Sequence, residues 1–218
     1  MQRDSLVARV RGLLLTPKEE LPKTIAEPGD FKSLLPYVLV LLAVGALARF
    51  ISEGIVGTYI PPMNLFGMKT GGGWFRQPIG ALVRAILSVG FGVGVFWFFG
   101  FILNVLAEPF GARKDEAAAN KVAAWTGTPI WVCGILGILG SVPYLGWIAT
   151  VAGLGALVYA VLIGMWALPL LMGTPESKAP GHILAAMGIT LAVGAVVGFV
   201  LFGLVIGSMF ATGAAILH

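Results

Sequence analysis

The sequence predicts an all-α, polytopic integral membrane protein with five transmembrane helices, its N-terminus cytoplasmic and its C-terminus outside. Three observations lead there. Of 218 residues 58% are hydrophobic and 11% charged, with a mean hydropathy of +0.94, too little polar surface to clothe a soluble globule. The 31 glycines are spread through apolar runs, and in lipid small residues let helix backbones approach closely. Finally, the charges gather between the apolar runs.

A helix needs about 20 mostly apolar residues to cross the hydrocarbon core. Five stretches qualify: residues 34–59, 79–107, 122–140, 145–172 and 183–209. Gly140, Ser141 and Pro143 supply a tight turn between the third and fourth. Pro129 lies inside the third, where its missing amide predicts a kink near residues 125–129, with Thr126 or Thr128 able to satisfy a freed carbonyl.

Lysine and arginine then orient the chain. Ten fall on one side: Arg3, Arg9, Arg11, Lys18, Lys23 and Lys32 before the first span, Arg113, Lys114 and Lys121 after the second, and Lys178 after the fourth. Two, Lys69 and Arg76, fall on the other. By the positive-inside bias the first side is cytoplasmic. Trp74, Tyr144 and Trp147 then mark the outer interface, and Trp125 and Trp166 the inner one.

Residues 1–33 form a cytoplasmic amphipathic segment and residues 34–218 the transmembrane domain. In "DSLVARVRGLLL", Leu6, Val7, Val10, Leu13 and Leu14 share one helical face, with Arg9 and Arg11 off it. Thr16, Pro17 and Glu19 suit the cap and first turn of a second short helix. Leu6, Val10, Leu13, Pro17 and Glu27 are the expected docking residues for a cytoplasmic protein partner; the alternative, favoured because apolar stripes near membranes are common, is a helix resting on the bilayer or bundle. The alanine-rich run from Asp115 to Trp125 leads into the third span as a helix, its charges free to meet a partner or anionic headgroups. No uninterrupted apolar core of signal-peptide length precedes the first span, so no cleaved secretory signal is expected.

Ionisable side chains inside spans are costly and call for a physical reason. Arg49 and Glu53 lie a helical turn apart near the outer end of the first span, and Arg84 near the outer end of the second, close enough for an intramembrane pair or triad. The cluster fits an anion or proton site on a permeation path. It also fits structural pairing or snorkelling, favoured because no second carboxylate or histidine extends a relay. Asn104 is expected to bond a neighbouring helix.

Several other chemistries are excluded or weak. His182 and His218 sit at opposite predicted faces, and one cysteine, Cys133, with no His-Glu cluster gives no zinc motif. Cys133 reads as a small lipid-buried residue. "KTGGGWF", residues 69–75, lacks the lysine-hydroxyl continuation of a phosphate loop and reads as a flexible outer loop. "FWFFGF", residues 96–101, reads as packing or lipid contact before a pigment or quinone site. No cofactor and no nucleic-acid partner are expected, because the basic residues flank membrane spans. Gly90 and Gly94, Gly137 and Ser141, Gly194 and Gly198, and Gly203 and Gly207 have the small-xxx-small spacing that permits close crossings within the bundle or between copies.

The order of these features resembles the Yip domain family, five-span membrane proteins named for interaction with Ypt/Rab GTPases, and in particular its bacterial branch. "LLLTPKEELPKTIAEP", residues 13–28, is similar to the family's stretch ahead of span one, with Leu21 where tryptophan is usual. "FGARKDEAAANKVAAWTGTPIW" resembles its basic loop and small-hydroxyl-Pro signature, here Gly127, Thr128 and Pro129. "SVPYLGWIATVAGLGALVYAVLIGMWALPLLMGTPESKAPGH" resembles its Pro-x-x-Gly hairpin and Leu-Pro exit, here Pro143, Gly146 and Pro169. The resemblance makes residues 34–218 a Yip-like domain. It implies trafficking or scaffold roles through GTPase binding and self-association in eukaryotic relatives, and carries no catalytic motif.

The expected function is a non-enzymatic membrane scaffold or accessory protein that contacts lipids, binds protein partners or forms homo-oligomers. The alternative is a small-solute or ion transporter using the Pro129 kink and the Arg49, Glu53, Arg84 cluster. An alanine-, glycine- and valine-rich composition suggests a bacterial source, hence the cytoplasmic (inner) membrane.

Overall fold

The computed structural model describes residues 3–65, 68–70, 72–142 and 144–216, with most side chains between residues 6 and 200. Its helices are α1 (Arg3–Leu15), α2 (Pro17–Glu20), α3 (Phe31–Phe50), α4 (Pro78–Val105), α5 (Glu116–Cys133), α6 (Gly146–Met172) and α7 (Ala179–Ile216). A 3₁₀ turn, Leu21–Thr24, follows α2; a π-helical turn, Ile51–Val56, extends α3; and a 3₁₀ segment, Gly134–Ser141, extends α5. Five rods long and apolar enough to cross a membrane result: Phe31–Val56, Pro78–Val105, Glu116–Ser141, Gly146–Met172 and Ala179–Val200. The chain is a five-span integral membrane protein, with span boundaries a few residues from those expected.

Local chemistry sets the helix ends. Asp30, in an extended conformation, caps α3 by accepting from the Ser33 amide at 3.0 Å and the Ser33 hydroxyl at 2.7 Å. Asp115 caps α5 through the Ala118 amide at 3.0 Å. Gly173, at φ +69°, closes α6 as its amide donates to the Pro169 carbonyl and that of Thr174 to Leu168. The chain reverses between α5 and α6 with the Leu145 amide on the Val142 carbonyl, 3.1 Å; the expected turn residue Pro143 lies outside the described residues, as does His218.

α5 packs against α3, α4 and α6, while α7 packs against α4 and α6. The least apolar of the five spans is also the most enclosed by protein. Asn120, Lys121, Thr126 and Thr128 explain this, since each would be expensive against lipid and each is buried among neighbouring helices. The outer spans turn residues such as Ile79, Val158 and Phe199 outward as a lipid-facing flank.

The stretch expected as a flexible glycine-rich outer loop contains strands. β1 (Thr58–Ile60) pairs antiparallel with β4 (Gly73–Phe75), and β2 (Met63–Leu65) with β3 (Met68–Thr70) nested inside. Tyr59 faces Trp74 across the outer ladder, ring centroids 5.6 Å apart. Threonine, tyrosine, tryptophan and phenylalanine favour such a ladder, and so short a run lacks room for a clear alternating pattern.

At the opposite pole the N-terminal segment, the loop after α4 and the loop after α6 meet. The Arg113 amide donates to the Met172 carbonyl at 2.8 Å, joining the two loops.

Candidate functional site

At this pole residues 3–30 form a strap across the bundle. Leu13, Pro17 and Leu21 are buried, and Leu6 and Val10 pack against the same core. The strap binds back through Lys121, which is 7% exposed and donates from Nζ to the carbonyls of Thr24 at 3.2 Å, Ile25 at 2.9 Å and Glu27 at 3.1 Å. Three carbonyls replace the water an ammonium loses on burial. Tyr159 of α6 adds a bond from its hydroxyl to the Leu14 carbonyl, 3.0 Å. Gly29 lies so close to α5 that a Cβ there would collide with the Ala117 carbonyl.

Arg9 is the strap's electrostatic centre. Its side chain is 11% exposed, pairs with Glu20 at 2.9 Å and with Glu27, and places its guanidinium 5.5 Å above the Trp125 ring. Lys23 meets Glu20 from outside at 2.8 Å. Two cations and two carboxylates leave this cluster neutral, and the ring face offers a further favourable contact to a cation taken from water. The expectation that Arg9 lies off the inward face is corrected: α1 turns Arg9 inward and leaves Val7, Arg11 and Leu15 exposed. Of the expected docking residues, Leu6, Val10, Leu13 and Pro17 meet the chain's own bundle and Glu27 meets Arg9. Their apolar face finds its complement within the chain.

Below Arg9, Trp125 meets the Tyr37 ring edge-on at 5.2 Å. Thr128 donates to the Ala124 carbonyl at 2.9 Å, so its single proton is committed and Tyr37 donates to Thr128 Oγ1 at 2.7 Å. Pro129 removes the amide that would reach the Trp125 carbonyl, and the Thr128 hydroxyl bonds Ala124 in the same turn. α5 runs without interruption through Pro129; its geometry changes at Gly134. Pro169 sits inside α6, and Gly146 opens that helix in open space, where an added Cβ would meet nothing within 4 Å.

At the hairpin pole the structure brings two of the three intramembrane charges together. Arg84 donates to Glu53 Oε2 from Nε at 2.9 Å and from Nη2 at 2.7 Å. Arg49 forms no ion pair among the described residues; its stem lies on Gly137, where a Cβ would fall 2.9 Å from Arg49 Cγ. The reason is a repeat in "GILGILGS". Glycine every third residue matches three residues per 3₁₀ turn, so Gly134, Gly137 and Gly140 form one stripe, which lies along Gly45, Arg49 and Ser52 of the first span. Ser52 donates to Ser141 at 2.9 Å at the far end. By contrast Gly90, Gly94 and Gly198 meet no neighbour, and Gly194 only the tip of Phe91 at 4.0 Å. Gly203 and Gly207 lie where side-chain surroundings are not described.

The remaining groups serve packing. His182 is buried, its Nε2 donating to the Leu103 carbonyl at 3.0 Å, its Nδ1 3.4 Å from the Thr174 hydroxyl and its ring stacked on Phe110. Asn104, expected to bond a neighbouring helix, keeps its Oδ1 buried with no partner among the described residues. In the aromatic run, Phe96 is buried between Phe31 and Trp131, while Trp97 and Phe101 stack on the outer flank. A cleft of about 220 Å³ between α4, α5, α6 and α7 is lined by Phe96, Phe99, Thr126, Trp131 and Thr190, and Thr128, Glu53 and Arg84 do not line it. No group of three or more His, Cys, Asp or Glu side chains able to hold a metal occurs among the described residues.

Five apolar rods, the one built on α5 the most enclosed, closed at one pole by an N-terminal strap, define a polytopic integral membrane protein. The chain belongs to the Yip1 domain family: the Yip1 domain matches residues 11–201, from within α1 into α7. No curated protein and no solved structure matches it.

Proposed function

We propose that this chain is a non-enzymatic scaffold or accessory protein of a bacterial cytoplasmic membrane, with the strap pole in the cytoplasm, acting through protein partners or further copies of itself. One observation carries the reading. Two polar contacts within the spans close on themselves, Tyr37 with Thr128 inside the bundle and Glu53 with Arg84 on its flank, and Thr128, Glu53 and Arg84 do not line the cleft between α4, α5, α6 and α7. The partner face is the outward side of α1, where Val7 is 70% and Leu15 68% exposed beside Arg11.

The test uses the full chain in nanodiscs, with native mass and mass spectrometry of what copurifies. Deleting the strap would uncover the sites of Leu13 and Leu21 and unfold the pole, so surface changes discriminate better. Val7→Glu with Leu15→Glu is expected to release a stoichiometric partner while thermal stability is kept. Sustained solute flux through liposomes holding the pure protein, abolished by Arg84→Leu, would overturn the scaffold in favour of transport.

A further inference from the structure

A second surface lies where the strap meets the lipid-facing flank. A groove of about 670 Å³ runs between the 3₁₀ turn Leu21–Thr24, the last turns of α6 and the start of α7. Its floor is apolar, with Leu21, Met165 and Leu170. Its rim carries one cation and one anion, Lys18 and Glu176, both exposed. Among the described residues neither forms an ion pair, so both charges are available. Lys18 Nζ is held 5.0 Å over the Trp166 ring, which fixes the ammonium at the boundary between charged pole and apolar flank. Ala179, the first residue of α7, also lines the groove.

We propose that this groove seats one phospholipid whose headgroup carries both a phosphate and a primary ammonium, a phosphatidylethanolamine. The phosphate lies against Lys18, the ammonium against Glu176, and an acyl chain follows Met165 and Leu170 down α6. A phosphatidylglycerol would bring the same phosphate to Lys18 but only a neutral glycerol to Glu176, leaving that carboxylate without a counter-charge. A quaternary ammonium headgroup would bring no N–H donor to it. The apolar floor requires the chain, so the occupant is the lipid and not its soluble headgroup.

The experiment is native mass spectrometry of the full chain, released from nanodiscs of equimolar phosphatidylethanolamine, phosphatidylglycerol and phosphatidylcholine with matched acyl chains. The expected result is one retained phosphatidylethanolamine, favoured roughly fivefold over either competitor, as a pair contributing about 1 kcal/mol gives. Lys18→Gln should lower retention of phosphatidylethanolamine and phosphatidylglycerol alike. Glu176→Gln should remove only the preference between them, and Glu53→Gln, at the hairpin pole, should change neither. Free phosphoethanolamine should not displace the lipid. Equal retention of the three lipids, a preference for phosphatidylglycerol, or a preference that survives Glu176→Gln would each overturn the proposal.

Discussion

Tyr37 and Thr128 form a polar link between the first span and the enclosed α5, and their hydroxyls lie in series with the Ala124 carbonyl. Interhelical hydrogen bonds in membranes contribute about 0.6 kcal/mol on average. Tyr37→Phe, Thr128→Val and the double change, compared by reversible unfolding in bicelles, should give a coupling energy of about that size. Strict additivity would mean the two hydroxyls do not support each other. Arg9 is the harder residue to read from sequence. On a helical wheel it falls beside the stripe of leucines and valines and not within it, and an isolated amphipathic helix would hold it in water. Only the fold brings Glu20, Glu27 and Trp125 around it. Lys121 is similar: an alanine-rich run signals a helix, and nothing in it announces three acceptor carbonyls from another segment.

At the level of elements, the caps give a pH prediction. The Ser33 side-chain hydrogen bond, followed by that from its amide, holds the Asp30 carboxyl below its ordinary value of 3.8. A carboxylate lowered in the folded state stabilises above its unfolded pKa, and that contribution is lost as pH falls through the folded value. Amide exchange at the start of α3, corrected for its intrinsic pH dependence, should therefore be flat between about pH 5 and 8 and accelerate only below the ordinary carboxyl range. Asp30→Asn should remove that acid step. The glycine contacts predict a second contrast. Gly137→Ala puts a methyl 2.9 Å from Arg49 Cγ, and the 3₁₀ stripe leaves it little room to retreat, whereas Gly90→Ala points into open space. The first should destabilise by about 1–3 kcal/mol, the second by less than about 0.5 kcal/mol, in the same bicelle unfolding assay. Small-xxx-small spacing picks out Gly137 and Ser141, which lie on this crossing, together with Gly90 and Gly94, which meet no neighbour within the chain. The period of three in "GILGILGS" was present in the sequence and points to the crossing that forms.

For the molecule as a whole, length and hydropathy were enough to read five spans, because each must hide its backbone from lipid by its own hydrogen bonds. What they could not supply is which span is enclosed. That follows from comparing spans: the one carrying Asn120, Lys121, Thr126 and Thr128 has most to lose in lipid. The strap's inward side was equally illegible, since an amphipathic stripe suits a bilayer, a partner or the chain's own bundle. The proposed orientation is checked with thiol labelling on a Cys133→Ser background. Lys178→Cys should react only with reagent on the cytoplasmic side, and Arg76→Cys only from outside. Reaction of both from one side would exclude a five-span crossing of the bilayer.

The eight residues of the 3₁₀ segment Gly134–Ser141 also act as a ruler. At about 2.0 Å per residue they reach about 16 Å, where an α-helix would reach about 12 Å. With 18 α-helical residues before them, the third span extends about 43 Å, as far as an α-helix of roughly 29 residues. Rewinding this segment into α-geometry would shorten the rod by about 4 Å, drawing the turn before α6 toward the bilayer centre. In a thinner membrane that contraction relieves hydrophobic mismatch without tilting the helix, at the cost of breaking the glycine stripe's register with Gly45, Arg49 and Ser52.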